Sequence, residues 1–445
     1  MTHKLVILIC VLLSLHIKAQ EQPTHLSLQE AIDFALKNNT SAKNATLDID
    51  AAKKQKWETT AIGLPQINAT VDYNNWLKQQ VSLLPGELAG GAPGTFVAVP
   101  FGTKQTMNAT ATLSQLLFDG SYLVGLQSAK VFLEISKNAK LKTDLEVKKA
   151  TINAYGNVLL SKESIAIYES NISILEKNLK ETTVIFENGL TEEENVEQLQ
   201  ITLKQLRSGY LNAKRLHHIA QQMLNITIGL ESDSEVTLTE SLEVLAETNI
   251  NLELLTSSDD VQSNIDYKIA ENDRRSKELL LKLERSKALP SLSAFVNGGY
   301  AANNDDFTFL DSDQKWFGSS LFGVSLNIPI FSSLKRSAIT KRAKINLEKA
   351  KNNLSETEKQ LKFQIASAKS NYQFAIEQLQ TSKENLELAQ RIEQKNQIKF
   401  SEGIASSFDL RQAQQQLYTS QQEYLQAMLN VITEKVELET LLNKN

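Results

Sequence analysis

Few residues in this chain have the type and spacing for covalent chemistry. His217 and His218 are its only adjacent histidines. On a helix such neighbours diverge by roughly 100°, a poor pair for one metal ion, so they read as surface or packing residues. His25 stands alone, and the single cysteine, Cys10, follows Leu8 and Ile9, where a lipidation signal would want small residues. Neither a phosphate-cradling Gly-rich lysine motif nor a Gly-x-Ser-x-Gly elbow is present. The chain is therefore expected to have no catalytic residue, no metal and no cofactor, and not to be an enzyme. What remains is polar rather than reactive. Gln412, Gln414, Gln415 and Gln416 predict a polar, hydrogen-bonding face, and Asp409 just before them would favour a helix start by about 0.3–1 kcal/mol.

The elements that must position these residues begin after an export signal at 1–20. Lys4 opens it, Leu5 to Leu15 form its short apolar run, and Ala19 offers a small residue for cleavage. That run is too short to span a bilayer as a helix, and no later segment reaches the necessary ~20 apolar residues. Loss of Lys4 and Lys18 takes the formal charge of −5 to −7 (−5 − 2). So mild an acidity argues against a nucleic-acid partner. Proline is scarce (7 in 445 residues) and no Pro/Gly/Ser linker divides the chain, which fits one continuous architecture.

The chain repeats itself. Leu64-Pro65-Gln-Ile-Asn-Ala-Thr-Val71 recurs as Leu289-Pro290-Ser-Leu-Ser-Ala-Phe-Val296, and Phe186-Glu-Asn-Gly-Leu190 as Phe400-Ser-Glu-Gly-Ile404. The offsets are 225 (290 − 65) and 214 (403 − 189). The first copy opens with a helix capped by Ser27 and Glu30, running to about Thr60. From Gln66 the period becomes two: Ile67, Ala69, Val71 and Tyr73 face one way, Asn68, Thr70, Asp72 and Asn74 the other. Met107, Ala109, Ala111 and Leu113 alternate likewise with Thr106 to Ser114. Between them lies a loop rich in turn formers, Pro85-Gly86, Gly90-Gly91 and Pro93-Gly94. The second copy supplies Leu292, Ala294, Val296 and then Phe322, Val324, Leu326, Ile328, with a shorter loop. Trp76 and Trp316 fall near strand ends, at interfacial-girdle or ordinary packing positions.

Each hairpin leads into one unbroken helix, predicted over 121–188 and 333–402. At ~1.5 Å per residue each is roughly 100 Å long. Ala154, Val158, Ser161, Ile165, Tyr168, Ile172, Leu175 and Leu179 step in heptads, as do Ala368, Tyr372, Ala375, Leu379, Ser382, Leu386 and Ala389. This predicts coiled-coil packing. Gly189 and Gly403 are placed to cap these helices before return helices at about 192–228 and 407–442. Residues 230–260 are acidic and less periodic, and read as a linker whose short elements pack beside the helices.

Four amphipathic strands cannot close a membrane barrel of about eight or more, and open edges are prohibitive in lipid. Strands that span a membrane must then be pooled from several chains. The Leu-Pro strand start, the duplicated hairpin, the long helix and the closing Phe-x-x-Gly-(Leu/Ile) turn together resemble the TolC-like outer-membrane efflux proteins, over essentially the whole mature chain. The resemblance implies an α+β membrane protein, internally duplicated: a homotrimer whose four strands per chain make a twelve-stranded transmembrane β-barrel in the outer-membrane lipid, joined to a coiled-coil α-helical tunnel in the periplasm. It implies an exit duct, passively conducting substrate outward in complex with a periplasmic adaptor (membrane fusion protein) and an inner-membrane transporter. It also implies adaptor-docking tips at Gly189, Leu190, Gly403 and Ile404, and a periplasmic constriction at Asp409. Where the family carries a second acidic residue three positions on, this chain has Gln412, preceded by Arg411. A ring of three Asp409 carboxylates would attract cations, and mutual repulsion would raise their pKa; helix stabilisation stays open beside it. Asn195 takes the matching place in copy one, uncharged. The expected division is a signal at 1–20, a first repeat at 21–229, a linker at 230–260 and a second repeat at 261–445. Periodicity alone also fits an exported coiled-coil scaffold or adaptor whose hairpins are soluble.

Overall fold

The computed structural model describes residues 25–257 and 260–443; the expected export signal, with Cys10, lies outside them. In chain order the elements are β1 (His25–Leu26), α1 (Leu28–Asn38), α2 (Thr40–Ala61), β2 (Gln66–Asn75), β3 (Val81–Pro85), β4 (Phe96–Pro100), β5 (Gln105–Asp119), α3 (Gly120–Glu187), α4 (Glu193–Ile228), β6 (Thr237–Leu238), α5 (Leu242–Thr248), α6 (Glu253–Thr256), α7 (Ile265–Ser286), β7 (Ser291–Asn304), β8 (Phe317–Asn327), α8 (Lys335–Ser401) and α9 (Ser407–Leu441). The chain divides into two compact units. One holds the stretch up to Asp48, Lys137–Ile269 and everything from Ser355 on; the other holds Ile49–Ser136 and Ala270–Leu354.

The second unit is built on one antiparallel sheet of order β2-β5-β7-β8. Ile67 pairs with Leu113, Leu113 with Val296 and Val296 with Phe322. Because side chains alternate across a strand, this register lines Ile67, Leu113, Val296 and Phe322 along one face, with Val71, Ala109, Ala111, Val324 and Leu326 on the same side. The opposite face is mainly polar and tied across strands, Thr70 to Thr110 and Asn297 to Thr112, both at 2.8 Å, but it also carries Phe295, Leu321 and Phe317. β2 and β8 are the open edges. The 76–104 connection, read as a turn-rich loop, holds a second hairpin of β3 and β4, with Val81 opposite Pro100 and Pro85 opposite Phe96. Its strands are too short, and too interrupted by proline, for periodicity to find. β8 ends at Asn327, so Ile328 is not part of it.

The first unit is helical. The heptads of α8 are its interior: Ala368, Tyr372, Ala375, Leu379, Ser382 and Ala389 are buried and Leu386 is half-buried. In α3, Ala154, Val158 and Leu175 are buried, while Ser161, Ile165, Tyr168, Ile172 and Leu179 are half-buried. Tyr155, Leu159, Leu224, Ile228, Ile365, Tyr372 and Ile432 share the main core, and burying each such aliphatic side chain is worth ~1.5–3 kcal/mol. A smaller cluster joins Leu175 to Leu199, Leu203 and Leu206.

Ser27 and Glu30 do form a capping box, but the first helix is not continuous to Thr60. Asn39 leaves the helical region and splits it into α1 and α2. Its Oδ1 accepts from the Ser41 and Ala42 amides at 2.8 and 3.3 Å while its Nδ2 donates to the Thr227 carbonyl at 2.8 Å. A cap plus a tertiary anchor outweighs the helix pattern here. The 230–260 segment packs as short elements: β6 pairs in parallel with β1, and Leu238, Leu242, Leu245 and Leu254 join the main core.

Candidate functional site

No helix among the described residues is long and apolar enough to cross a membrane. The four-stranded sheet with its two open edges is one distinctive feature of the chain. The other distinctive feature is the pair of turns joining α3 to α4 and α8 to α9. Gly189 and Gly403 adopt φ of 71° and 74°, a conformation that favours glycine. Around the first, the Gly189 amide donates to the Phe186 carbonyl and Leu190 to Ile185, at 2.8 and 3.1 Å. Around the second, Gly403 donates to Phe400 and Ile404 to Lys399, at 3.0 and 2.8 Å. Both are Schellman caps. Each throws its next side chain outward, leaving Leu190 and Ile404 78 and 71 % exposed.

Beyond the second turn Ser406 and Asp409 form a reciprocal capping box. Asp409 Oδ2 accepts from the Ser406 hydroxyl and amide at 2.6 and 3.1 Å, and the Asp409 amide donates to Ser406 Oγ at 3.2 Å. These bonds, the hydroxyl's foremost, hold the Asp409 carboxyl below the usual carboxylate range. Asp409 is thus a helix cap and is held ionised within a single chain. Arg411 lies over the exposed Phe408 ring at 5.4 Å. Asn195 carries no cap of this kind. It accepts a hydrogen bond from the Ser407 hydroxyl and donates to Thr191 Oγ1 at 2.8 Å, so it ties the start of α4 to the start of α9.

The glutamines do not share one face. Gln412, Gln415 and Gln416 are exposed beside Arg411 and Thr419, whereas Gln414 is buried. The reason is helical spacing: Leu410, Ala413, Gln414 and Leu417 form the packed stripe of α9. Neither amide atom of Gln414 completes a hydrogen bond, nor does the Tyr418 hydroxyl. Burial raises the carboxyl pKa of the neighbouring Glu393 and the phenol pKa of Tyr418.

The residues missed in the sequence are amides in the helix seams, the buried Asn171 and Asn178 and their half-buried glutamine partners. Asn178 and Gln397 exchange two hydrogen bonds, at 2.8 and 2.9 Å, between α3 and α8. Asn171 donates to Gln421 at 2.8 Å, joining α3 to α9. Their signal was the seven-residue step from Asn171 to Asn178, masked by the stronger apolar heptad beside it. His217 shares a 2.9 Å hydrogen bond with Ser161, and burial lowers its pKa. Among the described residues no three His, Cys, Asp or Glu gather closely enough to hold a metal.

The family described as "Outer membrane efflux protein" matches residues 31–230 and 258–444, most of the chain in two segments. The chain belongs to the outer membrane efflux protein family. It is an outer-membrane efflux channel, a TolC-like transporter component and not an enzyme, and this sets aside the soluble-scaffold reading. Among its relatives are the toluene efflux pump outer membrane protein TtgC of Pseudomonas putida, 23 % identical over 93 % of this chain and 82 % of that protein. Outer membrane protein TolC of Vibrio cholerae is 20 % identical over 93 % of this chain and 89 % of its own. Solved structures of CusC and of VceC from Vibrio cholerae superpose with TM-scores of 0.75 and 0.71, covering 96 and 93 % of this chain and 95 % of each of theirs, at 18 and 15 % identity. That likeness shows a shared fold.

Proposed function

We propose that three copies of this outer-membrane efflux protein pool their sheets into one twelve-stranded barrel and their helices into a periplasmic tunnel. The assembly is a passive exit duct, filled through a periplasmic adaptor from an inner-membrane transporter. One observation supports the pooling above others: the sheet has one mainly apolar face, one mainly polar face and two open edges. Open edges in lipid leave backbone groups without partners, and four strands fall short of closure. The number three follows the family resemblance. Within each chain, residues 21–229 and 261–445 act as the two repeats, joined by 230–260.

The same reading assigns the two Schellman turns to the adaptor. Gly189 and Gly403 shape the tips, while Leu190 and Ile404 offer the exposed apolar contacts. Asp409 and Gln412, on the exposed side of α9, form the constriction, so that three ionised carboxylates ring the axis. The Ser406 cap supports that charge, because its hydrogen bonds hold the carboxyl below the usual carboxylate range. Extraction and conductance test the duct. Membranes should release the protein only with detergent, as a species that resists mild denaturation, and it should form pores in planar bilayers. Release by carbonate, or a monomer without conductance, would refute it.

A further inference from the structure

The two repeats differ where strand becomes helix. In the first, β5 runs directly into α3: Asp119 ends the strand, Gly120 starts the helix, and Asp119 Oδ1 accepts from the Ser121 and Tyr122 amides at 2.6 and 3.1 Å. In the second, β8 stops at Asn327 and α8 starts at Lys335. Between them Ile328-Pro-Ile-Phe-Ser-Ser-Leu334 makes an excursion, whereas the matching residues of the first repeat, Gln115 to Ser121 with Phe118 in the place of Phe331, stay in strand and helix. Ser333 and Leu334 have φ of 47° and 63°, a region costly for side chains other than glycine. Arg336 holds the excursion, donating to the Pro329 and Ile330 carbonyls at 2.7 and 3.1 Å. The result presents apolar side chains to solvent: Ile330, Phe331 and Leu334 are 88, 83 and 77 % exposed. A strained, pinned loop that exposes three large apolar groups calls for a covering partner.

We propose that this excursion is a latch that packs on a second copy of the chain, against its exposed Ile62 and Leu64. The inference rests on the pooled-barrel reading above. Strand direction chooses the occupant. β8 and β2 are the open edges of the sheet, and β2 runs antiparallel to β5, β5 to β7 and β7 to β8. Continuing that alternation sets β8 of one copy antiparallel to β2 of the next, so the end of β8 meets the start of β2. Ile62 and Leu64 lie just before that start, and both are exposed. One apolar group of each repeat thus covers the other across the joint, and apolar burial drives the contact.

Cysteine cross-linking tests this, since Cys10 is the only cysteine in the sequence. Full-length chains carrying Ile62→Cys with one tag and Phe331→Cys with another are co-expressed, purified in detergent and treated with a short dimaleimide. A control pair carries Asn68→Cys and Ser325→Cys on the strand edges. The latch predicts a doubly tagged product from the Ile62/Phe331 pair and none when either cysteine is alone. Cross-linking of the edge pair but not the Ile62/Phe331 pair would overturn the latch and leave the pooled barrel standing. Strong quenching of a Phe331→Trp variant by nitroxide lipids would overturn it also, by showing lipid in the partner's place. Failure of both pairs, with migration as a monomer, would overturn the pooled barrel and the latch together.

Discussion

At the scale of single residues, the charge on Asp409 is the sharpest prediction. Removing it with Asp409→Ala should lower cation selectivity or raise leak in planar bilayers, and unchanged conductance and selectivity would count against a constriction there. Its pKa has a sign. A carboxyl held low in the folded state stabilises the fold above its ordinary pKa, and that contribution fades as pH falls through the lowered value. The α9 start should therefore loosen in acid, and Ser406→Ala should bring that loosening to higher pH, as hydrogen exchange across 406–410 can measure. Glu393 carries the opposite sign. Burial raises its pKa, so the folded state loses stability as pH rises from the ordinary glutamate range through the raised value. Glu393→Gln should raise the melting temperature at neutral pH and flatten its dependence in that window; no change would place the carboxylate in water.

At the scale of elements, the helix pairs combine apolar seams with buried amide bridges. Leu175→Ala removes the centre of the smaller cluster and should cost about 2–5 kcal/mol, read from thermal or denaturant unfolding. Asn178→Ala alone leaves the half-buried Gln397 without its partner and should cost about 0.5–1.5 kcal/mol. Changing both residues to leucine should recover most of that loss, because two apolar groups need no hydrogen bonds; a double variant worse than the single would refute the pairing. The turns make a different prediction. Leu190→Glu and Ile404→Glu sit on exposed tips and should leave folding intact while lowering adaptor co-purification and transport. Undiminished pump assembly would remove the docking role.

At the scale of the whole molecule, duplication is economical because neither repeat's strands can stand alone. The repeats agree where geometry must be shared, in register, heptads and Schellman caps. They differ where roles separate: the extra β3–β4 hairpin in one, the pinned excursion before α8 in the other, and Asp409 opposite Asn195. A trimer should survive mild denaturation on gels when a monomer of the same chain does not, and charged replacements at Ile330 and Phe331 should lower the temperature at which it dissociates.

Much of this was legible along the chain. Period-two alternation gave strands from Gln66 and Ser291 because a strand's side chains alternate strictly. Heptads placed the buried row of α8, and Gly189 and Gly403 marked the helix ends because a left-handed cap favours glycine. Those signals are local, set by a few neighbouring residues. The tertiary structure decided what depends on distant partners. Asn39 breaks a helix because Thr227 is there to receive its side chain. Gln414 is buried and its neighbours exposed because of which stripe of α9 meets the other helices. Asn178 finds Gln397, and Asn195 finds Ser407, across more than two hundred residues. Asp409 read as ring or cap from its position alone; within one chain its hydrogen bonds to Ser406 make it a cap, and the charge they preserve is what an assembly would use.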